Sequence, residues 1–195
     1  GMALSTEKNT DHLFEMILEE AKNITHADGR TLYSINEDGN LDFEILRNDS
    51  MKTIMGGTSG VEIPYYPVHL WLDDQTPNQK NVSAYVALSS KTVNIKDAYE
   101  EDGFDFEGTK NFDKKSGYRS KSFLTVPLKN HEDEIIGVMQ LINAQNDHGD
   151  VISFNEEMQE QVESLASQGA VALTNKRLVE ELKTLFEAFI KLIAT

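Results

Sequence analysis

The amino-acid sequence predicts an α+β domain in which one antiparallel sheet is covered on one face by helices. Three observations predict this class. Two segments, residues 31–46 and 122–142, each contain a pair of apolar runs joined by a polar turn. An amphipathic helical pattern precedes the first segment. After residue 154 the chain contains no proline and keeps a helical composition to its last residue.

The first element is predicted to be an amphipathic helix over residues 11–24. Its apolar residues recur at spacings of three and four, which places them on one face of a helix. Asp11 stands where an N-terminal cap would be. Residues 1–10 are expected to be a flexible N-terminus, in which Gly1 before Met2 is a remnant of tag removal. The apolar face consists of Leu13, Phe14, Ile17, Leu18, Ala21 and Ile24.

A β-hairpin is predicted to follow this helix. Residues 31–35 and 41–46 alternate in polarity on either side of a turn that contains Asp38 and Gly39. Residues 48–80 are harder to assign, because glycines and prolines interrupt every regular period. We predict a long loop here, with one strand near residues 61–64. The interrupting residues are Gly56, Gly57, Gly60, Pro64, Pro67 and Pro77.

The middle of the chain combines short elements with a loop. A short helix is predicted over residues 81–88, a short strand over residues 92–95, and an acidic loop over residues 97–112. A clearer strand pair is predicted over residues 122–128 and 135–142, because both are apolar runs and the residues between them are polar.

The last predicted element is a helix of about 40 residues, on the order of 60 Å long, which is too long to lie on a domain of this size. Its far half must project or find a partner. Seven residues step alternately by four and three, the spacing of a coiled-coil seam, and they predict a homodimer through this helix. The alternative is that the far half packs against another domain. The seam residues are Val171, Asn175, Leu178, Leu182, Leu185, Phe189 and Leu192.

Composition excludes several kinds of function. The absence of cysteine removes disulfides, zinc-thiolate sites, thiol nucleophiles and thioether-linked chromophores. The formal charge of −15, from 18 basic and 33 acidic residues, repels nucleic acid and anionic membranes, so neither is an expected partner. The sequence has no apolar run long enough to span a membrane and no basic stretch leading into an apolar one. A cytoplasmic location is therefore expected.

Four segments between residues 94 and 143 carry a resemblance to a known family. They are Asn-Ile-Lys-Asp-Ala-Tyr at 94–99, Phe-Asp-Lys-Lys-Ser-Gly-Tyr-Arg-Ser at 112–120, Val-Pro-Leu at 126–128, and Ile-Gly-Val-Met-Gln-Leu-Ile-Asn at 136–143. Taken in this order they resemble a GAF domain, a small-molecule sensor found in cyclic-nucleotide phosphodiesterases, phytochromes and bacterial signalling proteins. The segment at 81–86 lacks both glycines of the corresponding family pattern.

The resemblance implies a GAF-like (PAS-like) central sheet of about six antiparallel strands flanked by helices, with a long C-terminal helix. It implies a sensor domain over residues 11–172 and a linker helix over residues 173–195. The implied function is regulatory, and the fragment is not expected to be an enzyme. The ligand is expected to lie between the sheet and the irregular segments.

The resemblance also implies a set of ligand-binding positions. In cyclic-nucleotide-binding relatives the matching positions line the site, and their hydroxyl and amide groups suit a purine edge or a cyclic phosphate. No catalytic residue, metal ligand or required cofactor is expected. The implied ligand-binding residues are Thr31, Val82, Ser83, Asp113, Ser116, Ser120 and Gln140.

One departure from the family bears on the ligand. Binding relatives carry an Asn-Lys and a Phe-Asp-Glu in which the lysine and the aspartate pair, whereas this chain has Asn143-Ala144 and Phe154-Asn155-Glu156. Both charges are absent together, so neither is buried alone. Three alternatives follow: a cyclic nucleotide, another small molecule, or a pocket with only a structural role.

Two further features bear on metal binding and on the output domain. Residues 146–150, Asn-Asp-His-Gly-Asp, could ligate a metal, but the same residue types commonly form turns. Residues 175–190 resemble the helix that leads from a GAF sensor into the catalytic domain of bacterial HD-GYP phosphohydrolases. This implies a metal-dependent phosphohydrolase as the output domain of a longer parent. The alternative is a module that only dimerises.

Overall fold

A computed structural model describes residues 2–195, with side chains described from Asn9 onward. Four α-helices and eight strands follow one another in the described chain. In chain order they are α1 (Met2–Thr25), β1 (Gly29–Ile35), β2 (Leu41–Asn48), β3 (Thr53–Gly56), α2 (Val82–Ser89), β4 (Val93–Ile95), α3 (Glu107–Ser116), β5 (Phe123–Lys129), β6 (Ile135–Ile142), β7 (Ala144–Gln145), β8 (Val151–Ile152) and α4 (Glu156–Ala194).

Six strands form one sheet in the order β3-β2-β1-β6-β5-β4, and every neighbouring pair is antiparallel. The two predicted strand pairs form the centre of this sheet, as β1–β2 and β5–β6. The predicted α+β class and the six-stranded antiparallel sheet are therefore confirmed. A separate two-stranded ribbon, β7–β8, leads into the last helix.

Helices α1 and α4 pack together on one face of the sheet and bury its larger apolar core. Alternate residues of the strands point into this core, which includes Phe14, Leu18, Ile45, Met139, Leu141 and Leu173. A second core lies on the opposite face beneath α2 and part of the long loop, and includes Tyr33, Leu41, Leu70, Val86, Phe123 and Val138. The prediction that helices cover only one face was wrong.

Two predicted elements differ from the structure in position. Helix α1 begins at Met2, so Asp11 lies inside the helix and does not cap it. The strand expected near residues 61–64 is a loop, and the additional strand is β3, eight residues earlier. β3 pairs with β2 through a tight turn in which Lys52 has a φ of 53°, and that turn carries no proline or glycine to mark it.

A third difference is helix α3, which occupies part of the predicted acidic loop. Its residues are mostly polar, and in the helix Asp113 is the buried one. The helix ends at Gly117, whose φ of 76° is the left-handed conformation that terminates many helices. With no apolar stripe, the segment offered no helical period to find.

Helix α4 is capped by Asn155, whose side chain accepts a hydrogen bond from the backbone of Met158 at 2.8 Å. Its buried residues end at Leu173, and residues 180–195 are all exposed. The predicted projection of the far half is confirmed. Within residues 2–195, no helix is long and apolar enough to cross a membrane.

Candidate ligand-binding site beneath helix α2

A row of polar side chains crosses three adjacent strands on the face that α2 covers. Thr31 on β1 lies opposite Gln140 on β6, and Gln140 lies opposite Thr125 on β5. All three point to the side of the second core, because residues two positions along their strands contribute to that core. The row is a polar strip in an otherwise apolar layer.

Helix α2 supplies the opposite wall of the site. Asn81 caps it by accepting a hydrogen bond from the backbone of Ala84 at 3.0 Å. Below the cap, Val82 packs into the second core and Ser83 is buried over the polar row. The Gln140 amide donates to the Ser83 hydroxyl at 3.3 Å and to the Thr125 hydroxyl at 3.1 Å.

Tyr33 adds a hydroxyl to this cluster. Its ring is buried in the second core, and its hydroxyl is hydrogen-bonded with Ser83. Burial raises the pKa of Tyr33 to about 12, although the hydrogen bond to Ser83 opposes the shift. Tyr33 therefore stays neutral at physiological pH. We call Thr31, Tyr33, Ser83, Thr125 and Gln140 the α2 cluster.

A second group of predicted residues lies around the end of α3. The buried carboxylate of Asp113 accepts hydrogen bonds from the Ser120 backbone at 2.8 Å, the Ser120 hydroxyl at 2.9 Å and the Tyr99 hydroxyl at 2.6 Å. These contacts join α3 to the segment entering β5. In this arrangement the Ser120 donors and the Asp113 carboxylate are each other's hydrogen-bond partners.

Tyr99 is fixed from its other side by an arginine. The Arg119 guanidinium stacks 3.6 Å from the centre of the Tyr99 ring and donates to both carboxylate oxygens of Asp97 at 2.8 Å. The hydrogen bond to Asp113 raises the pKa of Tyr99. We call the hydrogen-bond network of Asp97, Tyr99, Asp113, Arg119 and Ser120 the α3 network; it joins the segments before and after α3.

Ser116 occupies a different position from the other predicted residues. Its exposed hydroxyl donates to the Phe112 carbonyl at 2.8 Å and accepts from the Tyr118 backbone at 3.2 Å, which closes the last turn of α3. Thus the structure brings Thr31, Ser83 and Gln140 together, places Val82 beside them, and joins Asp113 to Ser120. Among residues 9–195 no side-chain hydrogen bond links the α2 cluster to the α3 network.

The two positions at which binding relatives carry the lysine and the aspartate have structural roles in this chain. Ala144 is fully buried in the larger core, and Asn155 caps α4. The side chain of Asn143 binds the segment that enters β5: its Oδ1 accepts from the Lys121 backbone at 2.7 Å, and its Nδ2 donates to the Tyr118 hydroxyl at 3.1 Å. In this chain the two positions therefore make an apolar contact and a helix cap.

Several residues in and near the site were not predicted from the sequence. Tyr33 and Thr125 lie in strands, where aromatic and β-branched residues are common for reasons of packing alone. Their alternation with the core residues of the same strand was the available signal. Tyr118 donates to the buried carboxylate of Asp28 at 2.8 Å across 90 residues of sequence, a pairing that no local pattern marks. Burial, together with this hydrogen bond, raises the pKa of Tyr118.

The histidine-containing turn at residues 146–150 is organised by its first residue. The Asn146 side chain accepts hydrogen bonds from the backbones of His148 and Asp150, both at 3.0 Å. Across the described part of the chain, no three His, Asp or Glu side chains are grouped as metal ligands would be.

Comparison with known proteins places this geometry in context. The GAF domain family model matches residues 9–173. The chain is 36% identical over 104 residues to the dual 3',5'-cyclic-AMP and -GMP phosphodiesterase 11A of Takifugu rubripes, a match that covers 53% of this chain and 11% of that protein. It is 28% identical over 149 residues to the cGMP-specific 3',5'-cyclic phosphodiesterase of Drosophila ananassae, covering 73% of this chain and 12% of that protein.

Among solved structures, the GAF domain region of a putative membrane protein from Geobacter sulfurreducens PCA superimposes with a TM-score of 0.63 at 16% identity, covering 89% of this chain and 99% of that one. At this identity the likeness concerns the fold. The chain spans about a ninth of the length of the phosphodiesterases that it matches. It spans nearly all of the solved GAF domain.

Proposed function

This chain belongs to the GAF domain family, and from that premise we propose that it binds a small molecule between helix α2 and the sheet. The observation that carries the proposal is the α2 cluster, five hydrogen-bonding side chains set in the second apolar core. A purely structural core gains little from so many polar groups, because each must find a partner. A ligand with a polar edge and an apolar ring surface fits this mixture.

The ligand class that we propose is a purine cyclic nucleotide. An amide such as that of Gln140 can donate and accept at once, as a purine edge requires, and the hydroxyls of Thr31, Ser83 and Thr125 can serve further polar atoms. The names of the phosphodiesterase relatives support this class. The positions of the lysine–aspartate pair hold Ala144, which lies in the larger core on the other face of the sheet, and Asn155, which caps α4, so the proposal of this class rests on the α2 cluster and the relatives alone.

We further propose that the ligand state passes through α4 to an output domain. The far half of α4 carries the exposed seam, and we propose that two copies pair there in the cytoplasm as a homodimer. The resemblance of residues 175–190 to the linker helix of HD-GYP enzymes supports a phosphohydrolase as the output domain, while the phosphodiesterase relatives support hydrolysis of a cyclic nucleotide by the parent.

Isothermal titration with cGMP and cAMP tests the binding proposal. We expect saturable binding of one of the two, and we expect Gln140→Leu to weaken it by at least about tenfold, the equivalent of roughly 1.4 kcal/mol. Gln168→Leu is the matched control, because Gln168 is an exposed glutamine on α4. Equal affinities for Gln140→Leu and the unmodified chain would contradict the proposed site.

The second candidate function is a module that only dimerises. It is favoured by the exposure of Leu178, Leu182, Leu185 and Phe189, each more than half exposed in a single copy. In that case the chain would form dimers, while neither nucleotide would bind or raise the melting temperature. Bound ligand at a hundred times its Kd would add about 2.7 kcal/mol of stability, which a melting curve resolves.

A further inference from the structure

Two basic residues hold α4 to the sheet at the point where the helix leaves the domain. Leu173 is the last buried residue of α4, and Lys176 and Arg177 follow within one turn. The Arg177 guanidinium donates to the Ile35 carbonyl at 2.6 Å and lies 3.5 Å from the Ile136 carbonyl. These carbonyls stand at the end of β1 and the start of β6, so one side chain spans two paired strands.

Lys176 makes the second attachment, to side chains of β2 and α1. Its ammonium is 2.7 Å from a carboxylate oxygen of Glu44 and 3.6 Å from one of Asp11. All three side chains are less than a quarter exposed. Burial lowers the pKa of Lys176, but the charge and hydrogen bond of Glu44 and the charge of Asp11 outweigh it, so the pKa is raised overall. The Lys176 ammonium is thus charged and largely shielded from solvent.

A bulge in β2 directs Glu44 toward α4. Leu32 pairs with Ile45, and Tyr33 pairs with Phe43, so Glu44 has no partner on β1 and is the extra residue. Its carboxylate accepts from the Ser34 hydroxyl at 2.6 Å and from Lys176. The bulge therefore connects β1 to the helix through side chains.

Strand β1 consequently joins the candidate ligand site to the root of the projecting helix. Thr31 and Tyr33 face α2, whereas Ser34 and Ile35, the next residues along, bind Glu44 and Arg177. A shift of β1 that accommodates a ligand beneath α2 would displace both attachments of α4. A cleft of about 850 Å³ lies beside these attachments and is bordered by Glu37, Glu180 and Thr184.

We propose that Lys176 and Arg177 are the positioning residues that couple the α2 cluster to the projecting half of α4. The inference rests on the proposed function, because it describes how occupation of that same site reaches the output end. When the attachments hold, α4 follows the strands. When they are removed, the site and the helix respond independently.

Hydrogen exchange of the whole chain, read by mass spectrometry, tests this coupling without a ligand. We expect Arg177→Gln and Lys176→Gln to speed exchange in α2 by about tenfold, although α2 lies on the opposite face of the sheet. Lys183→Gln, on the exposed half of α4, is the matched control and should leave α2 unchanged. Faster exchange confined to α4 and the strand ends would overturn the proposal, because the attachments would then be local.

A second arm uses cGMP as the probe. In the unmodified chain we expect cGMP to slow exchange in α2 and also in residues 176–182. In Arg177→Lys, which keeps the charge and disturbs the fold least, we expect the effect on α2 to remain and that on residues 176–182 to be lost. Retention of both effects would overturn the coupling. No effect on α2 in the unmodified chain would instead contradict the proposed ligand, leaving the ligand-free arm to decide the coupling.

Discussion

At the scale of single residues, Asp113 shows how a position implied by family resemblance can have a structural role. Its buried carboxylate is the acceptor for the Ser120 backbone, the Ser120 hydroxyl and the Tyr99 hydroxyl. A carboxylate with three donors already bound has little capacity left for a ligand. The α3 network therefore joins α3 to the segment entering β5, whereas the ligand that we propose would exchange hydrogen bonds with the α2 cluster.

The role of Asp113 predicts a loss of stability. Asp113→Ala leaves the buried Ser120 donors without an acceptor, and we expect the free energy of unfolding to fall by about 2 to 4 kcal/mol. Urea denaturation measures this change. Ser116→Ala, three residues away on the exposed surface, should cost less than about 0.5 kcal/mol. Equal small effects for both variants would show that Asp113 is not a support.

Tyr33 predicts a dependence of stability on alkaline pH. Its pKa is about 12 in the folded protein and about 10 when exposed, so the unfolded state loses the proton first as pH rises. The stability that Tyr33 contributes by keeping its proton in the folded state is complete below pH 10. It is lost progressively between pH 10 and 12, on the order of 2 to 3 kcal/mol in total.

Urea denaturation at pH 9 and pH 11 tests this dependence. Unfolding should become easier with pH, and the loss should be smaller in Tyr33→Phe because phenylalanine has no proton to release. Tyr66→Phe is the control, since Tyr66 is 91% exposed and should leave the pH dependence unaltered. An identical loss in Tyr33→Phe and the unmodified chain would contradict the prediction.

The site residues divide according to the signal they leave in the sequence. Thr31, Ser83 and Gln140 were implied by aligned motifs, and the structure places them in one cluster. Tyr33 and Thr125 complete that cluster, but an inward hydroxyl on a strand has the same sequence pattern as a packing residue. The Tyr118–Asp28 contact depends on tertiary structure alone. Family resemblance therefore implied three of the five residues of the cluster.

At the scale of elements, close contact between β1 and β6 explains a glycine in a strand. A β-carbon added at Gly137 would lie 2.3 Å from the Tyr33 carbonyl oxygen and 2.7 Å from a side-chain carbon of Leu173. Both distances are shorter than real atoms allow, and the carbonyl belongs to a backbone that cannot move freely. Gly137 thus permits α4 to lie close to the sheet.

Two glycine substitutions test this explanation. We expect Gly137→Ala to lower the free energy of unfolding by about 1 to 3 kcal/mol, as overpacking does. Gly108→Ala, at an open position of helix α3, should raise it by about 0.5 to 1 kcal/mol, because alanine favours a helix. Thermal and urea unfolding measure both changes. A neutral Gly137→Ala would indicate that β6 and α4 are not in tight contact.

The elements that sequence reasoning found are those with a strong period. The first hairpin alternates in polarity, the second consists of two apolar runs around a polar turn, and the last helix runs without a proline. Helix α3 was missed because its polar residues form no apolar stripe, and β3 because an unmarked turn precedes it. Helix α1 begins at Met2, before the apolar period that the sequence shows from residue 13 onward. The spacing of apolar residues in the sequence identifies an element only where that element packs against a core.

At the scale of the whole molecule, the sheet is covered on both faces, and the α2 cluster lies beneath the second cover. Prediction of one covered face failed because the second cover is α2 together with an irregular loop. Leu70 of that loop is buried in the second core. An irregular segment can bury apolar residues without any period, so its place could not be derived from sequence.

The exposed seam predicts association. Leu182 lies at the middle of the projecting half of α4 and is 65% exposed. We expect the chain to form a dimer in light scattering coupled to size exclusion, and Leu182→Asp to convert it to a monomer, because a charge within an apolar seam opposes pairing. Lys183→Asp, the adjacent position off the seam, should remain a dimer. A dimer unaffected by Leu182→Asp would place the interface elsewhere.

The most direct test of a sensor that works from α2 to α4 is an amide NMR spectrum of the ¹⁵N-labelled chain with and without cGMP. We expect shifted signals at Ser83 and around Gln140, and a second set of shifts along α4 from Lys176 outward. Signals that change at neither place, or that change around Gln140 while α4 stays constant, would contradict it.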